Sequence, residues 1–270
     1  MSAPEGISAT ARTPVFFIHG QPGLGSDFRL VSQLLDSSFQ VISPDRPGYG
    51  SNTRNVTSMA ANVDWIAALL KDSVGEPSVV VGHSYGGGLA ILLGALHPEL
   101  VSGLVLAASV ASVEHLGTLD RVLALRYLGD ALVAGGLGAA GSILPVVRQR
   151  TRSVPGRVGR WMEVNLPDST FTTVAPPLGQ VWRSVVAEQR SLFREMPLVE
   201  SSLRELDMPV EVIAGTWDVI VPLAVARKAA RTIRDSELLL VPRVGHFLPR
   251  DAPDVLAEAV RRVSRKAAAR

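Results

Sequence analysis

Three residues in this sequence could together perform nucleophilic catalysis. Ser84, Asp218 and His246 each come a few residues after a short apolar run. A hydroxyl is a weak nucleophile until a base removes its proton, and an imidazole can do this near neutral pH. A carboxylate fixes the tautomer of the imidazole and stabilises its charged form. The sequence therefore supplies one candidate for each role.

The residues around Ser84 favour a sharp turn that would expose its hydroxyl. Gly82 and Gly86 flank the serine two positions away on either side, and Gly87 and Gly88 follow. A strained strand-to-helix turn leaves little room for side chains at the flanking positions, and glycine is a poor helix former. These glycines therefore indicate a steric requirement, although the five-residue pattern alone also fits an ordinary glycine-rich turn.

Strands and helices alternate through most of the chain. Apolar runs predict strands at residues 15–18, 39–43, 79–81, 104–107, 210–214 and 238–241. Apolar residues at helical spacing predict helices between them, including one over residues 59–74 and one directly after Ser84. Because the strands are apolar throughout, we expect an α/β fold with a mostly parallel sheet covered by helices on both faces. The carboxyl ends of parallel strands share one edge, so the three candidate residues should meet there.

The segment from Val110 to Leu203 interrupts this alternation. It contains six prolines, several arginines and helical stretches, but no convincing strand. It is too long for a structureless connection, so we expect an inserted, mainly helical cap. The predicted organisation is a first core part over residues 1–109, the cap over 110–203 and a second core part over 204–270. A single closing helix is predicted over residues 251–268, with Asp251 as its N-cap.

Each polar or aromatic candidate also fits a purely structural role. Asp218 could cap the helix that follows it, and His246 could be a loop histidine bonded to the backbone. His83 fits a place packed under the sheet better than a catalytic role. The arginines of the cap fit a solvated face better than an anion site. Trp161 and Trp182 fit the core better than a substrate platform.

The composition limits the possible chemistry and partners. The 270 residues include no cysteine, which excludes disulfides and thiolate catalysis, and the five histidines show no metal-ligand spacing. A net charge of +2 from 27 basic and 25 acidic residues is not a nucleic-acid footprint. No apolar stretch approaches the ~20 residues of a membrane span, and no secretory signal is visible. We therefore expect a cytoplasmic protein with a small-molecule substrate and without metal, cofactor, nucleic acid or membrane span.

Taken together, these residues resemble the α/β-hydrolase family over nearly the whole chain. The nucleophile elbow is Gly82-His83-Ser84-Tyr85-Gly86, and the acid and the histidine follow in the family's order. The cap lies where the family places its lid. The resemblance implies that Ser84 is the nucleophile, His246 the base and Asp218 its orienting acid.

The resemblance also implies where a developing oxyanion would be bound. The expected donors are the backbone N–H groups of Gln21, which follows a His-Gly pair, and of Tyr85, which follows the nucleophile. The residues expected to contact substrate are His19, Gly20, His83, Trp161, Trp182 and Trp217.

The N-terminus departs from the family pattern. Members commonly begin with an antiparallel hairpin before the strand that ends in His-Gly, but here only Met1 to Pro14 precedes that strand. We therefore expect a shortened sheet with one edge strand missing or displaced. The missing piece would lie far from the elbow, so the active edge should not be affected.

The residue type at the nucleophile position distinguishes the enzyme classes that share this fold. Haloalkane dehalogenases and epoxide hydrolases carry an aspartate where Ser84 stands. Proline iminopeptidases usually have glycine where Gln21 stands and a tryptophan beside the serine. We expect a carboxylesterase, or a related lactonase or thioesterase, that forms an acyl-enzyme with a small apolar or aromatic substrate. The alternatives are a carbon-carbon bond hydrolase of the meta-cleavage type, a lyase, a cofactor-free oxygenase and a small-molecule receptor.

Overall fold

A computed structural model describes residues 12–55, 58–167 and 178–270 of the chain. Within these ranges six strands form one sheet in the order β2-β1-β3-β4-β5-β6, and every neighbouring pair is parallel. The predicted α/β fold with a parallel sheet is confirmed. The strands are β1 (Thr13–Ile18), β2 (Phe39–Ile42), β3 (Ser78–His83), β4 (Val101–Ala107), β5 (Val210–Gly215) and β6 (Ser236–Val241).

Helices connect the strands and also fill the long segment between β4 and β5. Four helices, α4 to α7, occupy the described part of that segment, and no strand occurs there within the described residues. The helices are α1 (Arg29–Leu34), α2 (Met59–Ser73), α3 (Tyr85–Leu96), α4 (Thr118–Ala124), α5 (Leu128–Thr151), α6 (Gly156–Asn165), α7 (Leu178–Ser202), α8 (Leu223–Thr232), α9 (Leu248–Asp251) and α10 (Pro253–Ala268).

The sheet is buried on both faces because its strands are apolar on both sides. In β3, Val80 belongs to a core cluster formed with α2, α3, α8 and the C-terminal half of α7, which contributes Met196. Val79 and Val81 belong to the opposite cluster, formed with α1 and α10, which contributes Leu256. Successive strand residues point to opposite faces, so the continuous valine run supplies both clusters. Each fully buried side chain of this kind contributes about 1.5–3 kcal/mol.

The end of the chain differs from the prediction of one helix. Ala252 leaves the helical region at φ −146°, and it separates α9 from α10. The reason is Pro253, since proline disfavours the helical conformation in the residue before it. Asp251 does not cap the final helix, because Ala252 is the N-cap residue and no side chain caps it. The Asp251 carboxylate accepts hydrogen bonds from Arg250 at 2.8 Å.

Part of the predicted organisation lies outside the described residues. The N-terminal stretch that would replace a hairpin falls largely within residues 1–11, and residues 168–177 of the expected cap are likewise outside the described ranges. The described sheet has β2 and β6 at its edges. The cap boundaries stay a prediction, and α7 runs from the expected cap into the core. None of the described helices combines the length and hydropathy needed to cross a bilayer.

Candidate active site

Ser84 lies in a strained turn between β3 and α3. Its backbone angles are φ 54° and ψ −121°, which a residue with a side chain rarely adopts. Two backbone contacts hold this conformation. The Ser84 N–H donates to the carbonyl of Ala107 at the end of β4 at 3.0 Å, and the N–H of Val110, in the loop after β4, donates to the Ser84 carbonyl at 3.1 Å. The serine is therefore presented at the carboxyl edge of the sheet.

The glycines beside the serine meet a steric requirement. A Cβ atom on Gly82 would lie 2.5 Å from the carbonyl oxygen of Gly86. A Cβ atom on Gly86 would collide with the carbonyl oxygen of Ile18 at the end of β1. The turn thus brings three backbone segments together so closely that neither position admits a side chain.

The structure brings Ser84, His246 and Asp218 into one hydrogen-bonded line. Nε2 of His246 lies 2.9 Å from Oγ of Ser84, and Nδ1 lies 2.9 Å from Oδ2 of Asp218. The carboxylate can only accept, so Nδ1 carries the proton and Nε2 accepts from the serine hydroxyl. The side chains of His246 and Asp218 are 4% and 0% exposed. The line is therefore shielded from water along its length.

Asp218 also organises the loop after β5. Its Oδ1 atom accepts hydrogen bonds from the N–H groups of Ile220 at 2.8 Å and Val221 at 2.9 Å. Asp218 does not cap the following helix, because Pro222 is the N-cap residue of α8 and no side chain caps it. One carboxylate oxygen holds the loop and the other lies against His246.

The two residues expected to supply oxyanion donors lie on either side of the serine. Tyr85 is the first residue of α3, so its N–H has no acceptor within the helix. A Cβ atom on Gly20 would lie 3.1 Å from the Ser84 Cβ, so the segment leading to Gln21 passes directly beside Ser84. The use of these N–H groups as an oxyanion hole stays a prediction.

His83 and His19 are buried and use their rings to hold the backbone. Nε2 of His83 donates to the carbonyl of His246 at 2.9 Å. Burial is the main cause that lowers the pKa of His83 to about 3, and electrostatic repulsion from His246 is the second. His19 accepts at Nε2 from the Arg46 N–H at 2.9 Å, so Nδ1 carries the proton and lies 2.9 Å from the Gly20 carbonyl oxygen. Burial, and then the charge of Arg46, hold the pKa of His19 well below its usual value. Both rings are therefore neutral.

The three tryptophans expected to contact substrate are not among the buried residues of the two core clusters. Trp161 on α6 is 43% exposed, because only Gly159 and Val164 of that helix are buried. The expectation that Trp161 fits the core is therefore wrong. Trp182 and Trp217 are half-buried, and each has an arginine guanidinium over its ring, at 5.5 Å and 5.6 Å. Contact between these rings and a substrate stays a prediction.

Sequence reasoning missed a buried polar cluster beside the serine. Arg46, after β2, forms an ion pair with Glu188 of α7, and the Tyr49 hydroxyl donates to the same carboxylate at 2.5 Å. These side chains are at most 1% exposed. Burial disfavours the charged guanidinium and would lower the pKa of Arg46. The attraction of the adjacent Glu188 carboxylate outweighs this effect of burial, so the pKa of Arg46 is raised. A glutamate on a helix usually lies in solvent, so nothing in the local sequence marked Glu188.

Within the described ranges, no group of three or more histidine, aspartate or glutamate side chains could hold a metal ion.

Comparison with known proteins agrees with this architecture. A family model described as "Alpha/beta hydrolase family" matches residues 15–259. An uncharacterized protein of Mycobacterium tuberculosis is 27% identical over 92% of this chain and 74% of its own. A 2-hydroxymuconate semialdehyde hydrolase of Pseudomonas sp. strain CF600 is 28% identical over 87% of this chain and 80% of its own. The structure of a thermophilic esterase from Thermogutta terrifontis superposes with a TM-score of 0.72 at 24% identity, covering 95% of this chain and 91% of that chain.

Proposed function

The chain belongs to the alpha/beta hydrolase family, and on that premise we propose that it is a serine hydrolase acting on a small-molecule carboxylic ester. The related lactones and thioesters are included, and the favoured substrate carries a small apolar or aromatic group. The observation that carries the proposal is the continuous line from Asp218 through His246 to Ser84, with 2.9 Å at each junction. This line is what a hydroxyl needs to become a nucleophile near neutral pH.

Acylation follows from the direction of the hydrogen bonds. Oγ of Ser84 attacks the ester carbonyl carbon while its proton passes to Nε2 of His246. The carbonyl π electrons move onto oxygen, and the N–H groups of Gln21 and Tyr85 stabilise that charge. Loss of one such donor costs about 3 kcal/mol in the barrier. The carboxylate of Asp218 stabilises the imidazolium that has formed.

Acylation ends with loss of the alcohol, and deacylation by water then uses the same groups. The imidazolium of His246 returns its proton to the leaving alcohol as the carbon-oxygen bond breaks, which leaves an acyl group on Ser84. Water then gives a proton to His246 and attacks the acyl carbon. The second tetrahedral intermediate collapses with return of that proton to Ser84, and the carboxylic acid is released.

Carbon-carbon bond hydrolysis is the second candidate. One relative, 28% identical, is a 2-hydroxymuconate semialdehyde hydrolase, which supports this alternative. The esterase among the structural neighbours shares only the fold at 24% identity. A panel of p-nitrophenyl esters graded by acyl length, assayed beside a vinylogous keto acid, separates the two reactions. Ester turnover with no cleavage of the keto acid supports the esterase.

Replacement of the nucleophile tests the proposal. In Ser84→Ala no acyl-enzyme can form, so we expect the pre-steady-state burst and nearly all turnover of p-nitrophenyl acetate to disappear. Ser201→Ala is the matched control, since Ser201 is exposed at the end of α7 and donates only to the nearby carbonyl of Leu198 at 2.9 Å. Hydrolysis by Ser84→Ala at the parent rate would show that the mechanism is wrong.

A further inference from the structure

One face of α7 contacts both residues expected to form the oxyanion hole. The Gln21 side-chain amide donates to the carbonyl of Val185 at 2.7 Å. The Tyr85 hydroxyl lies 3.1 Å from Oγ of Ser191. Positions 185, 188 and 191 are spaced by three residues, so they lie along one side of the helix. Glu188 stands between the two contacts.

Glu188 acts on the loop before Gln21 through Arg46. Its carboxylate forms an ion pair with Nη1 of Arg46 and accepts a hydrogen bond from Nη2 at 3.3 Å. It also accepts a hydrogen bond from the Tyr49 hydroxyl. The other side of the guanidinium donates to two successive carbonyls, from Nε to His19 at 3.0 Å and from Nη2 to Gly20 at 2.8 Å. A series of buried contacts thus runs from α7 to the backbone beside Ser84.

These contacts from Glu188 through Arg46 to Gly20 determine the direction of one expected oxyanion donor. The carbonyl of Gly20 and the N–H of Gln21 belong to the same planar peptide unit, so they point in opposite directions. A guanidinium that holds the Gly20 carbonyl therefore also aims the Gln21 N–H. The ring of His19 bonds to the same carbonyl oxygen at 2.9 Å, which restricts the peptide further.

We propose that Glu188 is a positioning residue for the oxyanion hole. It holds Arg46 so that the peptide between Gly20 and Gln21 presents its N–H to the reacting carbonyl oxygen, and the seating of α7 on the core thereby sets the geometry of the hole. This inference rests on the proposed serine-hydrolase function. A buried ion pair that served the fold alone would affect stability without affecting the stabilisation of the oxyanion.

Glu188→Gln and Glu195→Gln form the test pair. Glu195 lies on the same helix and also ties it to the core, but it accepts from the N–H groups of Met59 at 2.5 Å and Ala60 at 3.4 Å, at the start of α2. The readouts are kcat and KM for p-nitrophenyl acetate and the inhibition constant of phenylboronic acid. The boronate forms a tetrahedral adduct with a serine and places an oxygen in the oxyanion hole.

We expect Glu188→Gln to lower kcat with little change in KM. A misplacement of about 1 Å costs on the order of 100-fold in rate, so a loss of about 10- to 100-fold is expected. Phenylboronic acid should bind more weakly by the same factor, whereas Glu195→Gln should match the parent in both. Equal effects of the two substitutions, or a Glu188→Gln enzyme that is only less heat-stable, would overturn the proposal.

The double variant Arg46→Met with Glu188→Leu separates positioning from folding. It leaves no unpaired buried charge, and such replacements are often neutral or stabilising. It also removes the donors to the Gly20 carbonyl that come from Arg46. We expect a parent-like unfolding temperature and the same weakening of boronate binding, even if Glu188→Gln does not fold. Parent-like boronate binding by the double variant contradicts the inference, whereas a parent enzyme that neither hydrolyses the ester nor binds the boronate contradicts the proposed function itself.

Discussion

At the scale of single residues, Asp218 joins two tasks through its two oxygens. One oxygen holds Nδ1 of His246, and the other holds two N–H groups of the loop after β5. The loop bonds fix the carboxylate in place independently of the imidazole. The geometry of the hydrogen-bonded line therefore depends on a local turn that the same side chain forms.

Asp218→Asn separates these tasks. The amide oxygen can keep the bonds from Ile220 and Val221, which directs the NH₂ group at His246 and forces its proton onto Nε2. That nitrogen can then no longer accept the proton of Ser84, so we expect kcat to fall roughly 10⁴-fold. Because the loop bonds remain, the unfolding temperature should change little. Ester assays and thermal unfolding of the same preparation measure both, and a kcat within about tenfold of the parent would contradict the orienting role.

His83 predicts a pH dependence of stability. Burial lowers its pKa from 6.5 to about 3 in the native state, so below pH 6.5 the unfolded chain takes up a proton that the native chain does not. Native stability therefore declines as pH falls through this window, by up to about 1.4 kcal/mol per pH unit from this group.

His83→Gln keeps a donor for the His246 carbonyl but cannot titrate. We expect its free energy of unfolding in urea to decline less steeply than that of the parent between about pH 6.5 and pH 4. His19 is present in both proteins, so its contribution cancels in the comparison. Parallel declines would show that His83 is not held neutral.

At the scale of elements, the elbow depends on how closely α3 approaches β1. In Gly86→Ala the new methyl group meets the Ile18 carbonyl, so the helix or the strand must shift. Overpacking of this kind costs about 1–3 kcal/mol. We also expect lower activity, because the same shift moves Ser84.

Gly135→Ala is the control for this prediction. Gly135 lies within α5, and a Cβ atom there meets no atom within 4 Å. Alanine favours a helix over glycine by roughly 0.5–1 kcal/mol, so this variant should be slightly more stable than the parent. Urea unfolding of the two variants gives the comparison, and shifts in the same direction would contradict a steric cause.

At the scale of the whole molecule, α7 links the helical segment to the core. Its first half carries Val185 and Glu188, which contact the loops beside the serine. Its second half carries Met196 and Val199, which are fully buried against the helices of the core. The position of α7 beside the serine is therefore coupled to the packing of the core.

Met196→Ala tests this coupling. Met196 is 0% exposed and lies in the larger core cluster, so the cavity should cost about 2–5 kcal/mol. Leu198→Ala, two residues away on the exposed side of α7, should stay within about 0.5 kcal/mol of the parent. Urea unfolding of the two variants measures the difference, and similar values would show that this half of α7 is not part of the core.

Local patterns in the sequence were sufficient to predict most of the fold and the three residues that the structure joins in one hydrogen-bonded line. Continuous apolar runs predict buried parallel strands, and the glycines beside Ser84 predict a turn without side chains, because both depend on neighbouring residues. The carboxyl ends of parallel strands meet at one edge, so Asp218 and His246 could be placed there without coordinates. The break at Ala252 was not predicted, although Pro253 is a local signal for it.

Only the tertiary structure decided which residues support that line. Arg46 and Glu188 are 142 positions apart, and neither neighbourhood marks a buried ion pair. The exposure of Trp161 likewise depends on how little of α6 reaches another element. The order of residues specifies what each segment can form, but contacts between distant segments arise only when the packed core brings them together, because burial depends on the neighbours a residue meets in space.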